Sequence, residues 1–443
     1  MTEAMELGTW IEHQAHRSAT FMELAISATD RVRQRDSFGQ TVQPVAGSVL
    51  ASPMIADWNP EPDYFFHWLR DSAIVMRSVA ELMRDATGET ERRRWRRHFD
   101  DFVRFSLALS ELDGSAFLAR SRHRQATQRE FRKFLRPDSE IRKLAGDRLL
   151  GEPRFNPDGT IDIFRWSRPQ YDGPALRALA CLRYLAAGGP RTNELSRLLH
   201  LDLDFTIRHA ARRCIGPWEE SGQNAHHYYV ALVQLGALVH GRAWPHEVPD
   251  AWSAAEKRLR ASLERHWSDR HQIYMAIYPP PADTADDLVD AATLLAVLDA
   301  DLPDGPHSVQ DPRVQKTQAA IESLFAREFP INKARPAGSG PLLGRSRGDR
   351  YFGGGGWYPT TLAAAGLCYR LAQRPGQDRN ALLRRGDAFM VTLRELIPPD
   401  GAMSEQVDRT TGAPISARHL SWSYAAFIST ARLRRQALTS SRA

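Results

Sequence analysis

Cysteine is scarce: 443 residues hold only Cys181, Cys214 and Cys368. An odd, scattered set excludes a disulfide framework and a CxxC metal site. No run of about 18 apolar residues occurs, which excludes a helical membrane span. The first residues lack a basic stretch followed by an apolar one, so no secretory leader is visible and a cytoplasmic location is expected. Strand signals are few, with the best pieces at 42–50 and 160–164. No glycine-rich stretch is followed by Gly-Lys-Ser/Thr, which rejects a P-loop, and no serine sits at a nucleophile elbow. The chain also shows no splitting linker, low-complexity tail or repeat, so a single domain over 1–443 is expected.

Hydrophobic residues make up 42% and charged residues 25%, enough for a sizeable core. The net charge is +6 and the pI about 9.3. The positive charge concentrates in Arg92–Arg94 and in 120–148, without any nucleic-acid-binding signature. It reads as a solvated, arginine-rich surface rather than a nucleic-acid partner. Segment 113–150, basic and poor in large apolar residues, reads as a surface excursion.

Apolar spacing and flanking breakers predict about twelve helices. Their spans are 8–30, 70–87, 92–110, 172–187, 193–212, 226–241, 249–266, 284–299, 311–327, 358–373, 379–396 and 420–436. In 92–110, Trp95, Phe99, Phe102, Val103 and Leu107 share one face. Segment 226–241 is apolar around much of its circumference, which calls for burial on more than one side. The class is therefore all-α, and a two-layer arrangement shields inner helices with outer ones. Long connections at 51–69, 151–171, 213–225, 336–358 and 398–421 mix tryptophan, glycine, proline and acids. Such loops in a compact domain are usually functional.

Cleaving a glycosidic bond needs two carboxyl groups, one to protonate the leaving oxygen and one to activate water or attack. Sugar faces also favour flat aromatic walls, and forked charges suit hydroxyls. The loops offer all three. Trp218, Glu219 and Glu220 form one cluster, in which apolar surroundings and like charge are expected to raise a carboxyl pKa; the alternative is helix N-terminal charge complementation. Glu405 lies in a loop ahead of a helix, where an exposed acid is the other reading. Arg70 and Asp71 open a helix, as a hydroxyl fork or as a cap and surface ion pair. Arg345, Asp349 and Trp357 flank the glycine run 353–356, which permits close backbone approach. His226 and His227 are adjacent and face different ways on a helix, so a metal site there is not expected. Asp286 and Asp290 read as exposed or capping residues.

The order of these segments is more telling than any one of them. Residues 47–53, 63–72, 155–160, 166–177, 217–220, 344–357, 404–408 and 420–426 resemble, in sequence, the glucoamylase family of inverting glycoside hydrolases. The resemblance covers about the whole chain and implies an (α/α)6 barrel with a funnel-shaped pocket at one end. It implies exo-acting release of β-D-glucose from non-reducing ends of α-1,4-linked maltooligosaccharides or α-glucans, with no cofactor and no metal. Glu219 matches the general acid and Glu405 the general base, and inversion implies carboxyls roughly 6.5–9.5 Å apart. Arg70 and Asp71 match the grip on the terminal glucose, and Trp166 a stacking wall. Glu220, Arg345 and Trp357 match contacts to the next sugar, and Trp218 and Trp422 further wall positions. The run after Glu220 and the Gly355–Gly356 step depart from the family pattern where the leaving-group sugar binds. An α-1,6-glucosidase on isomaltose or dextran pieces, or a trehalase-like enzyme, therefore stands as the alternative. A catalytically silent glycan-binding protein is the rival from another class. No carbohydrate-binding module is visible, and soluble oligosaccharides are the expected substrates.

Overall fold

The computed structural model describes residues 2–220, 222–244, 249–336 and 338–439. Among them, twelve helices exceed eight residues, and they alternate between two concentric layers. The outer helices are α1 (Thr2–Glu23), α3 (Glu89–Ser110), α5 (Asn193–Arg208), α7 (Pro249–Glu264), α9 (Pro312–Glu328) and α11 (Arg379–Leu396). The inner helices are α2 (Leu69–Asp85), α4 (Asp172–Ala186), α6 (Tyr228–Gly241), α8 (Ala292–Ala300), α10 (Tyr358–Leu371) and α12 (Ser421–Thr439). Each inner helix packs on the next, and α12 returns to α2, closing a six-membered ring. The fold is an (α/α)6 barrel. No helix among the described residues is long and apolar enough to cross a membrane.

The two layers follow from sequence pattern. Outer helices bury one stripe: α3 turns Trp95, Phe99, Phe102 and Val103 inward. Inner helices have no solvent face, and every residue of α6 from Tyr228 to Leu238 is buried. Small residues let them approach closely. A methyl group on Gly236 of α6 would lie 2.7 Å from the Ala300 carbonyl oxygen at the end of α8. Side chains set several starts: Thr192 caps α5 through the Leu195 N–H (3.1 Å), and Asp378 caps α11 through that of Ala381 (2.9 Å).

Three expected elements differ. The first helix stops at Glu23 rather than running to 30, because the chain turns to bond Ala25 and Ile26 against Val49 and Leu50. His226 and His227 are not helical; they form a two-residue strand against Ile277–Tyr278. The expected helix 284–299 breaks into Ala285–Leu288 and α8, with Asp290 at the break capping the Ala292 N–H (2.7 Å). Of the two strand candidates, 42–50 gives only Val42 to a regular strand (Gln40–Val42, paired with Arg33–Arg35) and an isolated bridge at Val49, and 160–164 makes two isolated bridges. Segment 113–150, expected as a surface excursion, also buries Leu135, Ile141, Leu144 and Leu149. The last three extend a small core that backs the 151–164 loop.

All six inner helices begin at the same end of the barrel, and the long loops gather there. Two-residue ladders stitch these loops just before the inner helices: 67–68 with 154–155, 226–227 with 277–278, and 356–357 with 406–407. At the opposite end, Arg84, Arg183 and Arg370 sit in the last turns of α2, α4 and α10, where cations complement the helix dipoles.

Candidate active site

The cavity at the N-terminal end of the inner ring has a volume of about 980 Å³, the upper end of the range of roughly 300–1,000 Å³ for small-molecule sites. All ten residues singled out from the sequence line it: Arg70, Asp71, Trp166, Trp218, Glu219, Glu220, Arg345, Trp357, Glu405 and Trp422. Each long connection delivers at least one wall residue, and the starts of α2 and α12 deliver the floor. Trp422 lies at the floor and also lines a smaller cavity of about 240 Å³ toward the opposite end of the barrel. The Arg70 guanidinium lies 5.8 Å from the Trp422 ring centre.

Glu219 is the most densely bonded carboxylate of the site. Trp68 Nε1 (2.9 Å), Arg70 Nη2 (3.0 Å) and Gln170 Nε2 (2.9 Å) donate to its Oε1, and Trp166 Nε1 donates to Oε2 (2.5 Å). Two indoles, an amide and a guanidinium thus fix one carboxylate in the pocket wall. Arg70 is itself held by Gln170 (3.0 Å) and Asp172 (2.9 Å). Backbone strain aims the group, since Glu219 has φ +60°, a region that costs a non-glycine residue about 1–3 kcal/mol.

Glu405 faces the same cavity and is only 3% exposed. The Tyr64 hydroxyl donates to its Oε1 (3.2 Å), and the Ser416 hydroxyl donates to Oε2. Burial pushes its pKa up to about 7, against the pull of Ser416, Arg345 and Tyr64. The local fold is a hairpin: Gln406–Val407 pairs with Pro414–Ile415 on one side and Gly356–Trp357 on the other. Ser416, at φ +64°, leaves the hairpin already turned toward Glu405. Asp71 is raised to about 6, chiefly by burial, with Arg70 opposing and Glu219 adding repulsion.

The aromatic walls are braced from behind. Trp218 and Trp357 lie 5.4 Å apart between ring centres, and Arg345 sits over both, paired through Nε with Asp349 (2.7 Å). Asp290 accepts the Trp218 indole N–H at 2.9 and 3.0 Å. Burial raises its pKa to about 7. The glycine run is structural. Gly353 and Gly354 take positive φ, and a Cβ on Gly355 would lie 2.4 Å from the Val407 carbonyl oxygen.

Sequence reasoning missed Tyr64, Trp68, Gln170, Tyr351 and Ser416. The first four lie inside segments already singled out, 63–72, 166–177 and 344–357. The Tyr64 hydroxyl is 2.6 Å from that of Tyr351, and only the fold brings these two together. Asp290 was read as exposed or capping: it does bond the first N–H of α8, and it is half-buried against the pocket wall rather than exposed. His226 and His227 lie behind the wall, where His227 Nε2 meets the Gln223 carbonyl oxygen (3.0 Å).

The family model described as glycosyl hydrolases family 15 matches residues 35–432. A glucoamylase of Blastobotrys adeninivorans is 26% identical over 88% of the chain and 68% of its own length. One of Neurospora crassa is 25% identical over 88% of the chain and 63% of its own length. The chain thus spans about two thirds of the length of these relatives. Among solved structures, a family 15 glucoamylase from Hypocrea jecorina superposes with a TM-score of 0.77 at 22% identity, covering 97% of this chain and 72% of that one.

Proposed function

The chain belongs to glycosyl hydrolases family 15, and from that premise we propose that it removes terminal glucose from the non-reducing ends of α-1,4-glucans or maltooligosaccharides with inversion, releasing β-D-glucose. The observation that carries the proposal is the pairing of Glu219 and Glu405 in one cavity with Trp422 and Arg70 at its floor. A pocket that ends at a floor admits a chain end and excludes a chain middle, which makes the reaction exo-acting.

In the proposed mechanism Arg70 and Asp71 hold the terminal glucose by its hydroxyls. Glu219 gives its proton to the glycosidic oxygen as the bond to the anomeric carbon breaks. Glu405 takes a proton from water, whose oxygen attacks that carbon from the opposite face. Tyr64 and Ser416 orient the Glu405 carboxyl. Trp166 stacks on the substrate, while Trp218, Glu220, Arg345 and Trp357 receive the leaving-group sugar. Trp218 keeps its angle through Asp290.

Two substrates separate the roles. Fluoride leaves without protonation, so Glu219→Gln is expected to retain turnover of α-D-glucosyl fluoride. It should lose about 10²–10⁴-fold on maltose. Glu405→Gln is expected to lose both reactions. Activity of Glu219→Gln on maltose near the wild-type rate would remove Glu219 from the acid role. Proton NMR of the first-formed glucose checks inversion: the β anomer is expected, and the α anomer would refute it. Run in parallel on isomaltose and trehalose, the same assay tests the α-1,4 preference.

We extend the proposal to a cytoplasmic location. Its support is that Cys181, Cys214 and Cys368 are all buried free thiols, which suits a reducing compartment. Fractionation of the native host tests it, and recovery in the culture medium would contradict it.

A further inference from the structure

The loop 53–62 carries a tryptophan at the pocket mouth that the mechanism above does not use. Trp58 is 47% exposed. Its ring centre lies 5.8 Å from that of Trp166, at an interplanar angle of 43°. Trp166 lines the cavity and donates to Glu219, so the aromatic surface runs from the reacting centre outward to Trp58. The residue sits at φ +68°, a conformation unfavourable for a bulky side chain.

The loop is held from beneath. The buried Arg33 guanidinium donates to the Ala56 carbonyl (2.8 Å) and to Asp57 (2.6 Å), and it pairs with Asp63 (3.3 Å). Arg35 bonds Asp63 as well (2.7 Å). Trp58 is thus presented by an anchored loop. Arg165, the sequence neighbour of Trp166, also lines the cavity, and its Nε donates to the Leu135 carbonyl (3.2 Å). Among the described residues no carboxylate lies within ion-pair reach of Arg165, so part of its guanidinium fork is available to a ligand's hydroxyls.

We infer that Trp58 is the platform of an outer subsite that takes the third glucosyl unit of an α-glucan chain, with Arg165 donating to that unit's hydroxyls. The inference rests on the hydrolase reading above. The terminal glucose occupies the floor, the leaving-group sugar lies against the wall made by Trp218 and Trp357, and the next sugar leaves the mouth past Trp166. A pyranose ring offers an apolar C–H face to an indole, and an exposed ring already pre-positioned loses little freedom on contact.

The test compares kcat/KM on maltose, maltotriose and maltotetraose. The wild type is expected to gain from maltose to maltotriose. Trp58→Ala is expected to lose about three- to tenfold on the two longer sugars, mainly in KM, with less than about twofold loss on maltose. Trp58→Phe is expected to recover most of the difference. Equal losses on all three sugars, or none, would overturn the subsite. Calorimetric binding of maltotriose to Glu405→Gln, with and without Trp58→Ala, reads the platform without turnover; unchanged affinity overturns it. A wild type that releases glucose from none of the three sugars overturns instead the hydrolase reading, and the calorimetry still decides on Trp58.

Discussion

Ser416 shows how much a single hydroxyl governs in this site. It donates to Glu405 from a residue in the left-handed region, beside the Ala417 carbonyl that accepts the Glu405 N–H (2.7 Å). The bond favours the ionised carboxyl, while burial pushes the pKa up to about 7. Removing the hydroxyl leaves burial less opposed. A base must be ionised, so Ser416→Ala is expected to move the acidic limb of the kcat/KM profile to higher pH, with loss concentrated on the acid side. Initial rates on maltose from pH 4 to 9 check this. A shifted alkaline limb with a fixed acidic one would mean that Glu405 works in its protonated form. Glu219 and Glu405 were legible because each lies in a segment that pairs an acid with distinctive neighbours. Ser416 was not, since a serine in a polar loop carries no local mark and its partner is eleven positions away.

At the scale of the element, the helices were legible wherever one face had to be apolar. Segment 92–110 is of this kind, and α3 starts only three residues earlier than expected. Periodicity fails where a side chain outside the helix sets its limit. Trp218 draws Asp290 into the wall, Asp290 caps α8, and the continuous pattern over 284–299 is cut in two. Glycines divide in the same way. Gly8 lies in outer helix α1, and an added methyl would meet only the end of the Arg434 side chain at 3.5 Å. Gly8→Ala is expected to stabilise by up to about 1 kcal/mol, the intrinsic preference of a helix for alanine. At Gly236 the same methyl meets backbone, and Gly236→Ala is expected to destabilise by about 1–3 kcal/mol in spite of that preference. Thermal unfolding of the two variants beside wild type reads opposite signs; equal shifts would show that the α6–α8 approach is not tight.

For the whole molecule, the site and the stability of the barrel pull in opposite directions. Glu405 has a folded pKa of about 7 against 4.5 for the free group. A raised acid adds stability below its unfolded pKa, and that addition is lost as pH rises through the folded one. Glu405→Gln carries no such charge. It is expected to match wild type near pH 4.5 and to exceed it at pH 8 by up to about 3 kcal/mol, the value of a shift of about 2.5 units. Melting curves at both pH values test this; an equal gain at both would assign the effect to packing alone. Helix periodicity alone anticipates only two layers, whereas the closed ring is expected from the family resemblance. Which inner helix closes on which depends on contacts such as α12 with α2, more than three hundred residues apart in sequence.

On the proposed reading, the floor at Trp422 and Arg70 sets the terminal glucose at the far end of the pocket from its mouth. A freed glucose lies behind the chain from which it was cut, and the remaining chain stands in the exit. The shortened chain must therefore back out before the glucose can leave, so every cut ends an encounter. Such an enzyme nibbles many chains by one unit in turn rather than consuming any one of them from end to end.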